Sequence, residues 1–279
     1  MTIRTYEGAV AYITGGASGI GAAVATELVR RGASEVVLAD VQGELAEDVA
    51  KQIGPKARPE RVDVRDLAAV EASVARTFER NKRIDYVFNN AGTGVWGEAH
   101  RLEPKDWDLT VDVNFRGMIN VVRAAYPRLV EQGFGHLINT ASMAGLATSP
   151  ILALYSATKH AVVGLSKALR IEAARFDVRV SALCPGVIKT PILTGGAQGR
   201  NVYGIPSDRL MKWWDKLMPM AVEPFAKQVL DAVAKNEGVI VLPKRTRAFL
   251  AIAQGVPGLE EIIATKMLKD TLKQYPEMM

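Results

Sequence analysis

Short apolar runs alternate with amphipathic stretches along most of the chain, and this alternation restricts its possible folds more than any other feature. The runs have the length of buried strands, and the stretches between them have the spacing of helices. The apolar runs are GAVAYIT (8–14), EVVLAD (35–40), RPERVDV (58–64), IDYVFNNAG (84–92), GHLINTAS (135–142), VRVSALCPG (178–186) and GVIVLP (238–243). Strands that alternate with helices predict an α/β fold, a doubly wound parallel sheet of about seven strands with helices on both faces.

Two segments interrupt the alternation. Residues 191–222 combine a glycine-rich half with a short helix that contains Trp and Met, and residues 244–279 follow the last predicted strand as helices with apolar stripes. Neither segment is needed to complete the sheet, and no linker or internal repeat divides the chain. We therefore expect residues 1–279 to form a single domain, with a lid at about 191–222 and a C-terminal helical extension at about 244–279.

The sequence TGGASGIG (14–21) joins the first predicted strand to the first helix. Its glycines allow a sharp turn and close approach of a ligand, and the helix N-terminus offers N–H groups to a phosphate. The spacing departs from the G-x-G-x-x-G fingerprint, and tight turns also use glycine for purely structural reasons. Its place after the first strand favours a dinucleotide-binding Rossmann fold. The expected contacts are Gly15, Ser18, Gly19, Ile20 and Gly21.

Asp40 ends the second predicted strand, 19 residues after Gly21. A carboxylate at this place accepts hydrogen bonds from the adenosine ribose hydroxyls and repels a 2′-phosphate. No basic residue stands at 17–18 or 41–43 to bind such a phosphate. The sequence therefore favours NAD over NADP, although a solvated carboxylate at a strand end is the alternative interpretation of Asp40.

Tyr155 and Lys159 lie four positions apart in the predicted helix LYSATKHAVVGL (154–165). This spacing places a phenol and an ammonium on the same face of an otherwise largely apolar helix. Either both groups point into solvent, or the lysine tunes the phenol for proton transfer.

These motifs together resemble the short-chain dehydrogenase/reductase family, in its branch of one-domain members of roughly 250 residues. The resemblance covers about residues 7–243, and it is specific because all these motifs occur in the same order, with Ser142 placed 13 residues before Tyr155. The matching residues are TGGASGIG (14–21), Asp63-Val64, NNAG (89–92), Asn114, Ser142, YSATK (155–159) and PGVIKT (185–190).

The resemblance implies four catalytic residues. Tyr155 would be the acid/base and a cofactor contact, and Ser142 would bind the substrate oxygen. Lys159 would bind the nicotinamide ribose and lower the tyrosine pKa. Asn114 would hold a water of a proton relay in the long helical region at about 104–131. An ordinary tyrosine pKa is about 10, so moving it about 3 units toward neutrality requires roughly 4 kcal/mol of preferential stabilisation of the phenolate.

The resemblance also implies the remaining cofactor contacts. Asp63 and Val64 would enclose the adenine. The segment after the fourth predicted strand would lie close to the adenosine and support the central sheet. The segment after the sixth predicted strand would surround the nicotinamide. These segments contribute Asn90, Ala91 and Gly92, and Pro185, Gly186, Ile188 and Thr190.

Apolar residues near the expected nicotinamide site indicate a lipophilic secondary alcohol or ketone as substrate. No arginine or lysine is placed to bind a substrate carboxylate or phosphate. The apolar residues are Trp213, Trp214, Leu217, Met218 and Met220 in the lid, and Leu146, Ala147, Ile151 and Leu152 between Ser142 and Tyr155. Packing of the lid on its own domain or on a neighbour is an equally good interpretation of the lid residues.

The C-terminal extension can cap the pocket, add to an oligomer interface or touch a membrane surface beside the basic sequence KRTR (244–247). We rank the first two roles above the third. The family resemblance implies a homodimer or homotetramer, built through the two long helices at about 104–131 and 152–176.

Composition excludes several other classes of protein. The net charge of +5 comes without a long basic stripe, so no nucleic-acid partner is expected. The three histidines lie far apart and away from Cys184, so no metal site is expected. The N-terminus has no signal-peptide pattern, and no window reaches the roughly 18 apolar residues of a membrane span. A single cysteine fits a cytoplasmic location.

Two other functions remain open. An NAD-using epimerase or dehydratase would carry a larger C-terminal substrate domain than residues 244–279 can form. A catalytically silent NAD-sensing regulator would be expected to lack one of Asn114, Ser142, Tyr155 or Lys159, and all four are present.

Overall fold

A parallel sheet of seven strands forms the centre of the protein in a computed structural model, which describes residues 5–278 apart from the side chains at 249, 254 and 276. The single domain was predicted for residues 1–279, and residues 1–4 and 279 of that range lie outside the described residues. The strands of the protein are β1 (Val10–Thr14), β2 (Glu35–Asp40), β3 (Ala57–Arg61), β4 (Tyr86–Asn89), β5 (Val95–Trp96), β6 (Gly135–Thr140), β7 (Val178–Pro185), β8 (Arg200–Asn201) and β9 (Val239–Leu242).

Helices connect these strands and cover both faces of the sheet. They are α1 (Gly19–Arg30), α2 (Gly43–Ile53), α3 (Leu67–Asn81), α4 (Pro104–Val111), α5 (Gly117–Gln132), α6 (Ala153–Ala174), α7 (Ser207–Asp215), α8 (Val222–Ala234), α9 (Lys244–Gly255) and α10 (Leu259–Gln274). Among these described helices, none is both long and apolar enough to cross a membrane.

The strand order of the main sheet is β3-β2-β1-β4-β6-β7-β9, and every neighbouring pair is parallel. The chain therefore runs outward from β1 to β3 and then returns to the other side of β1. This reversal opens a crevice at the carboxyl ends of β1 and β4, where doubly wound sheets bind their ligands. The predicted fold class, a Rossmann-type single domain, is confirmed.

Alternate residues of β1 enter two hydrophobic clusters on opposite faces of the sheet. Ala11 and Ile13 face α1 and α8, in a cluster that includes the fully buried Phe225. Tyr12 faces α3 and α5, in a cluster that includes the buried Leu129. Side chains of a strand point alternately to its two faces, so helices on both sides bury every residue of β1.

The strands β5 and β8 form a second, two-stranded parallel sheet that the sequence analysis did not predict. It ties the segment after β4 to the glycine-rich half of the predicted lid. Arg200 of β8 extends this attachment, since its guanidinium donates to the buried Asp106 carboxylate at 2.8 and 2.9 Å. This segment is therefore fixed to α4 by an ion pair.

Candidate active site

A cavity of about 310 Å³ follows the carboxyl ends of the central strands. Asp40 lines one end of the cavity, Gly15 lines a section further along, and Tyr155 lines a section beyond Gly15. Beyond Tyr155 it continues to the side chains of α7 and α10. The predicted cofactor and catalytic residues therefore surround one continuous space, with the exception of Gly21 and Asn114, which lie behind its wall.

The glycine-rich turn leaves room at the N-terminus of α1. Gly15 has φ +64°, a conformation that side chains disfavour. A Cβ placed on Gly21 would lie 2.0 Å from the Gly15 carbonyl oxygen, so only glycine lets α1 start this close to the turn. Ser18 precedes α1 in an extended conformation, with no cap hydrogen bond from its side chain to any described residue. The first-turn N–H groups of α1 are thus oriented for an anionic group, and the turn fits a pyrophosphate.

Asp40 holds the turn as well as facing the cavity. One carboxylate oxygen accepts a hydrogen bond from the Ala17 N–H and the other from the Gln42 N–H, both at 3.0 Å. The side chain is 7% exposed and lines the cavity. The ribose contact of Asp40 was predicted from the sequence, but this structural role was not. Hydrogen bonds from backbone N–H groups to a side chain have no residue pattern that would reveal them.

The cavity is also lined by Asp63 and Val64, the two predicted adenine contacts, and by Val62, which was not predicted as a contact. The Arg65 guanidinium lies 2.6 Å from the Asp63 carboxylate and holds the pKa of that carboxyl below its usual range. Val62 directly precedes the predicted pair and is 3% exposed. Its place beside the carboxyl end of β3 was the signal that could have identified it.

Thr14 joins the ends of β1 and β4. Its hydroxyl oxygen accepts hydrogen bonds from the N–H groups of Asn90 at 2.9 Å and Ala91 at 3.1 Å. The Asn90 side chain returns a hydrogen bond to the Thr14 carbonyl at 3.2 Å. A Cβ on Gly92 would lie 3.3 Å from Asn114 Oδ1 and 3.6 Å from Lys159 Nζ. This segment therefore connects the glycine-rich turn to the predicted catalytic residues Asn114 and Lys159.

Asn114 lies in a π-helical turn (Asp112–Arg116) between α4 and α5, where the Gly117 N–H donates to the Asp112 carbonyl. Its side chain is fully buried, accepts from the Thr93 N–H at 2.8 Å and donates to the Thr93 carbonyl at 3.0 Å. A π turn often marks a functional position in a helix. The side-chain amide thus fixes the segment after β4, a contact that the sequence did not predict.

Ser142, Tyr155 and Lys159 come together at the inner end of the cavity. The Ser142 hydroxyl hydrogen-bonds the Tyr155 hydroxyl, and it also accepts from the Ala144 N–H at 3.1 Å. Lys159 Nζ lies 5.5 Å from the centre of the Tyr155 ring and donates to the Thr140 carbonyl at 2.9 Å. The interpretation of Tyr155 and Lys159 as a solvated pair is wrong for Lys159, which is 2% exposed.

Burial dominates the protonation of this site. It lowers the pKa of the Lys159 ammonium to about 8. It also raises the pKa of Tyr155 to about 12, although the hydrogen bond from Ser142 opposes this shift. The expectation that Lys159 brings the tyrosine pKa below its ordinary value is therefore not met by the protein's own groups. Cys184, fully buried behind the site, has a thiol pKa raised to about 12 by burial.

The predicted nicotinamide contacts at and after the end of β7 all line the cavity, namely Pro185, Gly186, Ile188 and Thr190. Thr190 also lies against the start of α1, since a Cβ on Gly19 would be 3.2 Å from its side chain. The segment after β7 and the glycine-rich turn thus close around the same space from two sides.

The apolar walls beyond Tyr155 differ in part from the sequence analysis. Trp213, Trp214 and Leu217 line the cavity, but Met218 is 65% exposed and Met220 packs against the central core. Of the four apolar residues predicted between Ser142 and Tyr155, three line the cavity, whereas Leu146 packs against a core cluster. Short-range spacing cannot separate these orientations, because the segments are irregular. The lining residues of this second group are Ala147, Ile151 and Leu152.

Known proteins resemble this chain over most of its length. Residues 9–200 match the family model described as short chain dehydrogenase. Oxidoreductase UcpA of Salmonella typhimurium is 35% identical over 198 residues, which cover 70% of this chain and 74% of that protein. SadH of Mycobacterium tuberculosis is 32% identical over 258 residues, which cover 90% of this chain and 92% of that protein.

A solved structure supports the same relationship. The short-chain dehydrogenase/reductase of Burkholderia phymatum in complex with NAD has a TM-score of 0.78 at 27% identity, over 90% of this chain and 95% of that one. The family-model match, the relatives and the order of strands agree with the motifs found in the sequence. The chain therefore belongs to the short-chain dehydrogenase/reductase family of oxidoreductases.

Proposed function

We propose that this protein is an NAD-dependent oxidoreductase that transfers a hydride between the nicotinamide and a lipophilic secondary alcohol or ketone, with Tyr155 as acid/base. The observation that carries the proposal is the contact of Ser142 with Tyr155 beside the buried Lys159, at one end of a crevice whose other end is lined by Asp40. Such an arrangement joins a dinucleotide site to a proton-transfer site.

The residues of the crevice fit a dinucleotide. The N-terminus of α1 and the space that Gly21 leaves beside Gly15 suit the pyrophosphate. Asp40 suits free ribose hydroxyls and opposes a 2′-phosphate. The cavity beside it is lined by Val41 and Gln42, which carry no positive charge. The related protein of Burkholderia phymatum was solved with NAD. These features support NAD as the cofactor, in preference to NADP.

In the direction of oxidation, the Tyr155 phenolate takes the hydroxyl proton of the substrate while the carbinol carbon loses a hydride. Bound NAD supplies the hydride acceptor and the positive charge of its oxidised ring. Ser142 donates a hydrogen bond to the substrate oxygen and follows its change from alcohol to carbonyl. In the direction of reduction, Tyr155 returns the proton to that oxygen.

Lys159 places a positive charge one helical turn from the phenol that must ionise. Its contact with the Thr140 carbonyl fixes the ammonium at the floor of the site. Because burial opposes both charges, the ammonium and the phenolate stabilise each other more in this environment than they would in water. The protein's own groups leave the tyrosine pKa raised, so Tyr155 becomes an effective base only when positive charge is added to the site.

Asn114 acts through the segment that it holds. Its amide bonds to Thr93 fix the backbone beside Gly92, which borders Lys159. We propose that Asn114 supports a proton relay that leads away from Tyr155. Asn114 is suited to this role because it is buried in the π turn beside the site.

The walls beyond Tyr155 favour an uncharged substrate. They are formed by aromatic and aliphatic side chains such as Trp213, Leu217 and Ile151. Among the described residues that line the cavity, Lys159 is the only cation, and it is committed to the catalytic end. Among the described lining residues, a substrate carboxylate or phosphate would therefore find no cationic partner at the outer end.

We also expect a homodimer or homotetramer that associates through α4, α5 and α6. Trp107 on α4 and Ile171 on α6 support this proposal, since they are 40% and 78% exposed. Sedimentation equilibrium that found only monomer at micromolar concentration would contradict it. A cytoplasmic location stays a prediction from the single cysteine, whose thiol is buried.

The test of the proposed function is absorbance-monitored reduction of NAD and of NADP with a panel of secondary alcohols, including alkanols, terpenoids and sterols. We expect turnover with lipophilic members and a higher kcat/KM with NAD. A panel in which sugars or small hydroxy acids were the preferred substrates would refute the lipophilic class, and preference for NADP would refute the cofactor.

A further inference from the structure

Helix α10 lies beyond the segment matched by the family model, yet one of its faces lines the cavity. The residues of this inner face recur at the three- and four-residue spacing of a single helical face. They are Glu260, Ile263, Ala264, Met267, Leu268 and Thr271. Ile262, on the outer face, is 67% exposed. The helix therefore presents a mainly apolar stripe to the cavity and its remaining surface to solvent.

The N-terminal end of α10 is bound to the loop that follows the catalytic serine. The Glu260 carboxylate accepts hydrogen bonds from the Thr148 N–H and from the Thr148 hydroxyl, the latter at 2.6 Å. These bonds hold the pKa of Glu260 below its usual range. Thr148 lies between Ser142 and Tyr155 in the chain, so this contact connects α10 directly to the catalytic segment.

The C-terminal end of α10 is bound to the lid helix α7. The buried Tyr275, which follows α10, donates from its hydroxyl to the Arg209 carbonyl at 3.0 Å. The Arg209 guanidinium forms an ion pair with Glu277 at 2.8 Å. Tyr275 also packs in one hydrophobic cluster with Trp96 and Trp214, two residues that line the cavity.

We propose that α10 is a strap across the substrate cavity, held at one end by Glu260 and at the other by Tyr275, and that its inner face selects the substrate. A 16-residue helix is about 24 Å long, enough to span the opening between the serine loop and α7. Met267 and Leu268 lie in the middle of the strap, on the face that lines the cavity. They are the specificity-determining residues that we assign.

This assignment rests on the proposed function and narrows its substrate. The inner face between the two anchors is formed by Ile263, Ala264, Met267 and Leu268, which have no charge and no strong hydrogen-bonding group. The ligand that fits is a ketone or secondary alcohol with an apolar chain or ring system on one side of the reacting carbon. Each methylene that reaches the strap should tighten binding about fourfold, the ratio that corresponds to burial of one CH₂.

The specificity is tested by ketone binding to the full-length protein saturated with NAD, a combination that cannot turn over. Intrinsic tryptophan fluorescence reports binding of the series from 2-butanone to 2-decanone, because Trp96, Trp213 and Trp214 line the cavity. We expect the dissociation constant to fall with chain length in the native protein. Leu268→Ala should weaken 2-decanone binding about tenfold or more and change 2-butanone binding less than twofold. Ile262→Ala, the matched change on the outer face, should alter neither.

An equal loss for short and long ketones in Leu268→Ala, or the same loss in Ile262→Ala, would overturn the assignment. So would a native protein that binds all chain lengths alike. A different result would contradict the proposed function alone. In that case ketone binding would depend on Leu268, but the corresponding alcohols would not be turned over.

The attachment of the strap is tested without cofactor or substrate, by hydrogen exchange at the Thr148 amide. In the native protein this N–H donates to Glu260, so Glu260→Ala should accelerate its exchange about tenfold or more. Glu261→Ala, the change at the neighbouring exposed carboxylate, is the control and should leave it unchanged. Equal exchange in the native protein and Glu260→Ala would show that Glu260 does not hold α10 to the serine loop.

Discussion

Lys159 and Tyr155 lie one helical turn apart on α6, with the lysine Nζ 5.5 Å from the centre of the tyrosine ring. Burial disfavours the charged form of both groups. It lowers the lysine pKa to about 8 and raises the tyrosine pKa to about 12. The Lys159 ammonium therefore loses its proton more easily than it would in water, and the Tyr155 phenol loses its proton less easily. Any added positive charge near Tyr155 shifts this balance toward the phenolate.

Stability at alkaline pH should report the buried lysine. The ordinary pKa of a lysine is 10.5, and that of folded Lys159 is about 8. Between these values the unfolded chain binds more protons than the folded one, so this contribution to stability increases with pH and is lost as pH falls through about 8. Relative to Lys159→Met, the native protein should gain about 2 kcal/mol in free energy of unfolding from about pH 7 to about pH 9.5.

Urea denaturation at both pH values measures this difference. Lys167→Met is the matched control, because Lys167 lies on the same helix but is exposed. Its substitution should leave the pH dependence of the native protein unchanged. If the Lys159→Met protein kept the same pH dependence as the native protein, the ammonium would not be buried as described.

Asp40 should decide between the two nicotinamide cofactors. Asp40→Asn keeps an acceptor for the Ala17 N–H but removes the negative charge that opposes a 2′-phosphate. We expect the ratio of kcat/KM for NAD over NADP to fall about tenfold or more, since like charges in contact cost several kcal/mol. Glu44→Gln, at the exposed start of α2, is the control. An unchanged ratio in Asp40→Asn would place the discriminating group elsewhere.

Two glycine substitutions should have opposite effects on stability. Gly21→Ala puts a Cβ 2.0 Å from the Gly15 carbonyl oxygen, so the turn must move and the free energy of unfolding should fall by about 1–3 kcal/mol. Gly164→Ala, in the exposed middle of α6 with open space around it, should raise it by up to about 1 kcal/mol. NADH affinity should be lost only in Gly21→Ala. Equal stability of the two variants would contradict the tight turn.

The strand and helix pattern was enough to predict the sheet, because every central strand is an apolar run bounded by turns. The third strand differs from its predicted bounds. It was predicted at 58–64, but β3 is Ala57–Arg61, and the residues after it, including Val62, line the cavity instead. Hydrophobic periodicity cannot distinguish the last residues of a strand from buried residues just beyond it.

Contacts between distant segments could not be predicted in the same way. The pairing of β5 with β8 joins Val95 to Arg200, two very short segments without a strand-like pattern. The contact between Glu260 and Thr148 likewise depends on the path of α10 after the sheet is complete. Family motifs predict the candidate catalytic residues, but they end before α10 and carry no information on the outer cavity.

Tyr155 is the centre of the account, and Tyr155→Phe tests it most directly. The measurement is NAD reduction by the native protein and the variant on the best secondary alcohol of the panel, with NADH binding followed by fluorescence in both. Tyr126→Phe, on α5, serves as the control. The account predicts that Tyr155→Phe loses turnover by about 10²–10⁴-fold, the usual contribution of an acid/base, and that NADH affinity changes little. Turnover within a few fold of the native rate would contradict the assignment of Tyr155 as the acid/base.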